Sequence, residues 1–130
     1  MKEPVWIDDL LVAALHRRQL AEHGGADGIR DAGLLESALN RPKQLFHYGD
    51  PPPDIAALAA AYAFGVAKNH PFFDGNKRTS CVIYELFLEL NGYRLNAVET
   101  EEYQIFIALA SGDLSEEGLA NWIRRNISLA

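Results

Sequence analysis

An alanine-rich segment at residues 55–69 constrains the fold of this chain more than any other feature. Seven alanines lie between positions 56 and 67. The larger apolar side chains among them recur at helical spacing: Ile55, Leu58, Tyr62 and Val66. Such spacing puts them on one stripe of a helix, and the alanines let neighbouring helices approach closely. With Asp54 as a candidate N-cap, the segment is predicted to be a closely packed helix ending near Asn69.

Five other segments have the caps and spacing of helices. Their predicted N-terminal residues are Asp8, Asp31, Asn76, Thr100 and Ser115. The first helix is expected to end at Glu22, the second just before Pro42, and the fourth at Asn91. The fourth is apolar around so much of its circumference that we expect it to be central. The fold class is therefore predicted to be all-α.

Spacing also predicts which faces are buried. The stripe of the first helix comprises Leu10, Leu11, Ala14 and Leu15. That of the fifth comprises Tyr103, Phe106, Ile107 and Ala110, and that of the sixth Leu119, Trp122, Ile123 and Ile127. Residues 43–53 are predicted to form a loop and Tyr93–Leu95 a short extended piece. His16, His23 and His47 are predicted to be surface or loop histidines, and Phe72 and Phe73 to belong to the core. Residues 1–130 are expected to form one compact six-helix bundle, because the chain is too short for two cores.

The composition argues against several classes of protein. A net charge of −6 is unfavourable for binding the backbone of nucleic acid. No apolar run approaches the roughly 20 residues that span a bilayer, and Asp8 and Asp9 interrupt the N-terminus where an export signal would be apolar. The single cysteine, Cys81, fits a reducing compartment. We therefore expect a soluble cytoplasmic protein that contacts neither nucleic acid nor membrane.

The segment HPFFDGNKRT, residues 70–79, precedes and opens the fourth predicted helix. The first amides of a helix lack intrahelical acceptors, and with the helix dipole they form an anion site. Gly75 permits a close turn of the backbone there. Lys77 and Arg78 would face the positive end of the dipole, which is unfavourable unless an anion such as phosphate is bound. The segment therefore predicts a phosphate-binding site.

Two titratable residues accompany this site. His70 can accept a proton near neutral pH, and the Asp74 carboxylate is a suitable ligand for Mg²⁺. Each feature alone has a simpler explanation, such as a helix stop, a turn or a solvated charge. Their joint occurrence at one helix start favours phosphoryl or nucleotidyl transfer, in which positioning and charge stabilisation do most of the catalysis.

The segment HPFFDGNKR resembles the signature of the Fic/Doc family, histidine-x-Phe-x-acid-Gly-Asn-x-Arg. The upstream stretch GIRDAGLLESALNRP is similar to the death-on-curing (Doc) branch. The resemblance implies a Fic/Doc-type fold in which His70 takes the proton from a target hydroxyl and Asp74 holds Mg²⁺ on ATP. It assigns the phosphates to Gly75, Asn76, Lys77 and Arg78. It also places a target-docking flap over residues 43–53, with Phe46 and Tyr48 as candidate contacts.

Two departures from the adenylylating Fic pattern bear on the reaction. Lys77 stands where that pattern has glycine, and Cys81 where it has a second arginine. The Doc resemblance then implies a toxin that moves the ATP γ-phosphate to a Ser or Thr of a translation elongation factor (elongation factor Tu-like) and arrests growth. A Phd-like antitoxin would restrain it by binding near the site through its C-terminal segment. An adenylyltransferase and a non-catalytic partner-binding protein remain the alternatives.

Overall fold

Six helices make up most of the computed structural model, which describes residues 1–130. They are α1 (Asp9–His23), α2 (Ala32–Tyr48), α3 (Ile55–Asn69), α4 (Asn76–Leu90), α5 (Glu99–Ser111) and α6 (Glu116–Arg125). The strands β1 (Tyr93–Leu95) and β2 (Ile127–Leu129) pair antiparallel, with Arg94 opposite Ser128. The mostly helical class is confirmed, and the predicted extended piece is β1. None of the helices has the length and hydrophobicity that crossing a membrane requires.

The two helices that flank the HPFFDGN turn form the centre of the domain. α3 packs against α2, α4, α5 and α6, and its four predicted stripe residues are all buried. It begins as predicted, because the Asp54 carboxylate accepts a hydrogen bond from Ala57 N at 2.9 Å. α2 approaches α3 closely at Gly65, because a Cβ atom on that glycine would lie 3.2 Å from the Cα of Ala38 on α2. On α4, Phe87 packs against Tyr62 with ring centroids 5.0 Å apart.

α2 is longer than predicted. It continues through Pro42 to Tyr48, so the predicted end before Pro42 is wrong, as is the loop predicted from residue 43. A proline removes one helical hydrogen bond and tends to break a helix. Here Pro42 is buried, and the turns beyond it are anchored by Phe46, whose ring meets Trp6 edge-on at 5.8 Å. Tertiary packing thus outweighs the local preference.

The predicted buried faces of α1 and α5 are right only in part: Phe106 of α5 is buried as predicted, and Leu15 of α1 packs, partly buried, against the core. In α1, Leu10 is 81% exposed, and the buried residues are Val12 and His16. α5 starts at Glu99 rather than after Thr100, with Tyr103 exposed and Leu109 buried. Both helices have apolar residues on more than one side, so spacing alone could not tell which side meets the core. α6 agrees with its prediction in its Ser115 cap and in the buried Leu119, Trp122 and Ile123. Ile127, predicted on the same face, lies instead in β2 beyond the helix end and is partly buried.

Candidate functional site

The turn between α3 and α4, residues 70–75, is called the motif loop below. It starts at His70, whose backbone is left-handed with φ 53° and ψ 53° and whose N–H donates to Val66 O at 3.1 Å. The His70 side chain is exposed. The loop ends at Gly75, which has φ 79° and immediately precedes α4. Because a Cβ atom disfavours this backbone conformation, glycine is well suited to the position before α4.

Backbone hydrogen bonds join the motif loop to the segment between α1 and α2. Arg30 N donates to Pro71 O at 2.7 Å, and Phe73 N donates to Gly28 O at 3.2 Å. Ile29 and Phe72 thereby form an isolated antiparallel bridge. The loop is thus held along its length by a part of the chain some 40 residues earlier.

The buried side chain of Asn76 closes the motif loop. Its Nδ2 donates to Phe72 O at 2.9 Å, and its Oδ1 accepts from Phe72 N at 3.0 Å. The prediction that Asn76 caps α4 is wrong, because Asn76 is the first helical residue and Gly75 occupies the cap position. Phe72 is buried as predicted, whereas Phe73, also predicted to be core, is 53% exposed. Asn76 therefore shapes the loop by binding its backbone.

Asp74 is fixed by two contacts from elsewhere in the chain. Its Oδ2 accepts a hydrogen bond from Ala26 N at 2.7 Å, and its backbone carbonyl lies 2.8 Å from His16 Nε2. Because a carbonyl oxygen only accepts, His16 Nε2 carries the proton. The other Asp74 oxygen, Oδ1, accepts no hydrogen bond from the protein. A carboxylate held in this way can offer a fixed oxygen ligand to a hard cation such as Mg²⁺.

His16 is a residue of the site whose place could not be predicted from the sequence. It was predicted to lie at the surface, but it is 3% exposed and stacks on Phe72 with ring centroids 3.8 Å apart. A histidine among polar neighbours on α1 carries no spacing signal for a partner 58 residues away. His23 and His47 are exposed, in agreement with their prediction.

Lys77 and Arg78 lie in the first turn of α4 and line a cleft of about 640 Å³. The cleft is bounded by α1, α4 and α5, and Lys77 Nζ lies 5.8 Å from the centroid of the Tyr103 ring. His70 and Asp74 are not among its lining residues. Of the predicted site residues, His70 and Asp74 therefore lie in the exposed loop, whereas Lys77 and Arg78 line the cleft that begins at the next helix turn.

The inner part of the cleft contains a cluster of acidic and neutral groups that the sequence analysis did not predict. The Cys81 thiol lies 3.7 Å from a Glu85 carboxylate oxygen, and Tyr84 donates a hydrogen bond to Glu102. Burial, reinforced by the nearby Glu102, raises the pKa of Glu85 to about 8. Burial also raises the pKa of Cys81, so its thiol stays protonated and is a poor nucleophile.

The raised pKa of Glu85 makes stability depend on pH. Between the ordinary value of 4.5 and about 8, the folded protein keeps a proton that the unfolded chain releases. The stabilisation that comes from the protonated Glu85 carboxyl is therefore complete below pH 4.5, and it is lost as the pH rises from there through about 8. Glu85→Gln cannot ionise and should flatten this decline, making the variant about 1–2 kcal/mol more stable than wild type at alkaline pH, since water screens part of the effect.

Thermal unfolding followed by circular dichroism across this pH range tests the prediction. Glu36→Gln, a change at an exposed carboxylate on α2, is the matched control and should leave the pH dependence nearly unchanged. Parallel curves for wild type and Glu85→Gln would contradict the assigned pKa.

The two candidate docking residues lie on α2 rather than in a loop. Phe46 is half-buried against Trp6, so its ring is committed to packing within the protein. Tyr48 is 79% exposed at the end of α2, beside a groove that also involves Arg41 and Glu116. Of the pair, Tyr48 alone keeps most of its surface available to a partner.

The chain is similar to known proteins over the elements that form this site. The model of the Fic/DOC family matches residues 6–88, which contain α1 to α3, the motif loop and most of α4. The chain is 30% identical over 112 residues to the protein kinase doc of Escherichia phage P1, covering 86% of this chain and 87% of that protein. It is 40% identical over 74 residues to toxin Doc of Mycolicibacterium smegmatis, covering 57% of each.

Proposed function

The chain belongs to the Fic/DOC family, and from that premise we propose that it is a toxin with protein kinase activity. It would transfer the γ-phosphate of ATP to a Ser or Thr hydroxyl of an elongation factor Tu-like translation factor and so arrest growth. One of its relatives is named a protein kinase and another a toxin. The observation that carries the proposal is the pair of cations, Lys77 and Arg78, in the first turn of α4, directly after the motif loop that begins at His70.

In this proposal His70 is the general base. Its imidazole is exposed at the end of α3, where the hydroxyl of a protein substrate can reach it. His70 takes the hydroxyl proton while the oxygen attacks the γ-phosphorus, the bond to the β-phosphate oxygen breaks, and ADP leaves. General bases of this kind contribute about 10²–10⁴-fold to rates.

The phosphates would bind at the start of α4. Free amides after Gly75, the helix dipole and the side chains of Lys77 and Arg78 all favour anions there. The fixed Asp74 carboxylate has an oxygen available for Mg²⁺, and this donor type fits that ion. When bound, Mg²⁺ would neutralise charge on the phosphate oxygens.

The residue at position 81 favours transfer of the γ-phosphate over transfer of AMP. The adenylylating Fic pattern has an arginine there, which the resemblance assigns to the distal phosphates of ATP. Burial keeps the Cys81 thiol protonated and uncharged, and the carboxyl of Glu85 lies beside it. This part of the cleft offers no cation to an ATP molecule bound in the adenylylating orientation, whereas Lys77 offers one nearer the motif loop.

ATP labelled at a single phosphate distinguishes the reactions. Incubated with the purified protein and a cell extract containing the elongation factor, γ-labelled ATP should mark the target and α-labelled ATP should not. Label from the α position alone would replace the kinase by an adenylyltransferase. Absence of both labels, with folded protein, would favour a non-catalytic binding protein. Lys77→Gly should weaken transfer at least tenfold, because a charge-assisted contact to the moving phosphate is lost, whereas Lys2→Gly at the exposed N-terminus should not.

Restraint of the toxin is proposed to come from a separate Phd-like antitoxin. Some Fic proteins carry their own inhibitory helix with a Ser/Thr-x-x-x-Glu-Gly/Asn pattern. The nearest match here is Glu117–Gly118, but the residue four positions earlier is Asp113, so the pattern fails. An antitoxin segment that is disordered until bound could instead cover the site.

A further inference from the structure

Arg30 joins the segment between α1 and α2 to the end of α3. Its Nε donates to His70 O at 2.8 Å, its Nη2 donates to Asn69 O at 2.9 Å, and its backbone N donates to Pro71 O at 2.7 Å. One residue thus satisfies three consecutive carbonyl groups. We propose that Arg30 is a positioning residue that holds the His70 backbone in its left-handed conformation and thereby fixes the imidazole. The catalytic part of this inference rests on the proposed role of His70 as general base.

The conformation of His70 needs such support. His70 is the one residue other than glycine with a positive φ. A left-handed backbone costs free energy for any residue with a Cβ atom, and it persists only where surrounding contacts favour it. The N–H of His70 is held by Val66 O on α3, but that bond alone is an ordinary helix-ending contact. The guanidinium supplies the additional restraint on the carbonyl side of the same residue.

The chemistry of the contact suits arginine in particular. The last carbonyls of a helix lack intrahelical donors, and a cation there also meets the negative end of the helix dipole. The planar guanidinium offers Nε and Nη2 in a fixed fork, so it binds Asn69 O and His70 O simultaneously and sets their relative orientation. Lysine would keep the charge but not the fork. The pair Arg30→Lys and Arg30→Met therefore separates orientation from charge.

The contact acts on His70 and not on the phosphate-binding residues. Lys77 and Arg78 follow Asn76, whose side chain ties the start of α4 independently to Phe72. Loss of the Arg30 fork should therefore free the end of α3 while the first turn of α4 keeps its place. The expected kinetic signature is a lower kcat with little change in the KM for ATP.

The test combines kinetics with a measurement of the His70 backbone in the full-length protein. In wild type, the nuclear Overhauser effect between the amide and α protons of His70 should be strong, as in left-handed residues. In Arg30→Met it should weaken, and kcat for target phosphorylation should fall about tenfold to a hundredfold, the range that small misplacements cause. Arg30→Lys should also lose kcat, although it keeps the charge and more of the stability. Arg17→Met, which removes an exposed arginine from α1, is the control.

The outcomes separate this inference from the proposed function. If wild type transfers no phosphate, the kinase proposal fails, and the spectra still decide whether Arg30 holds His70. A His70 signal unchanged in Arg30→Met would overturn the inference. So would a variant whose melting temperature falls while kcat stays at the wild-type value, because that result describes only a structural tie. Should Arg30→Met fail to fold, the same two measurements on Arg30→Lys decide the matter.

Discussion

His70→Ala is expected to lower phosphate transfer by about 10²–10⁴-fold and to relieve the growth arrest expected of wild type, because the variant lacks the proposed general base. The side chain is exposed and makes no hydrogen bond within the protein, so its removal should leave the fold intact. His70→Asn is a useful second variant, since asparagine tolerates a left-handed backbone well but is no base. The readouts are growth after induced expression and incorporation of γ-labelled phosphate in vitro.

Arg94→Ala is the control, because it removes an exposed basic side chain in β1, away from the motif loop, the cleft and the proposed docking segment. It should remain as toxic and as active as wild type. Harmless expression of folded wild type would count heavily against a toxin, and undiminished transfer by His70→Ala would exclude His70 as the base.

Asp74→Asn is expected to remove the Mg²⁺-dependent part of ATP affinity. The amide oxygen of asparagine can still accept the hydrogen bond from Ala26 N, so the loop should keep its shape. The variant loses the charge that a hard cation requires. We expect ATP to bind at least about tenfold more weakly than to wild type in Mg²⁺ and equally well in a chelator, by isothermal titration calorimetry.

Asp27→Asn changes an exposed carboxylate close to Ala26 in the chain and controls for the loss of one negative charge. It should bind ATP as wild type does in both conditions. Wild-type affinity that is the same with Mg²⁺ and with chelator would refute a metal role for Asp74.

Features that depend on residues a few positions apart were readable from the sequence. The caps at Asp31, Asp54 and Ser115 each accept a backbone hydrogen bond from three residues ahead, as their side-chain chemistry predicts. The motif at residues 70–78 gave the family, and the family model and relatives confirm that assignment. The catalytic and binding roles within the motif stay predictions until the experiments above are done.

Features that depend on which surfaces pack together could not be predicted from the sequence. Pro42 lies inside α2 and Leu10 is exposed, although local rules predicted a helix end and a buried stripe. Phe73 faces solvent next to the buried Phe72, because the bridge to Ile29 fixes which ring enters the core. Helical spacing states that a face is apolar, but it contains no information on the partner that covers it.

The sequence by itself determined which residues make up the candidate site: a histidine, a carboxylate, a glycine turn and two cations, before and within the first turn of α4. Only the tertiary structure decided how they are held. His16 and Ala26 form hydrogen bonds with Asp74 from 58 and 48 residues away in the chain. Arg30 donates to His70 from 40 residues away. Such contacts arise where α1 and the segment after it pack against α4 and the motif loop, and this packing follows from the shapes of whole buried surfaces rather than from any local pattern.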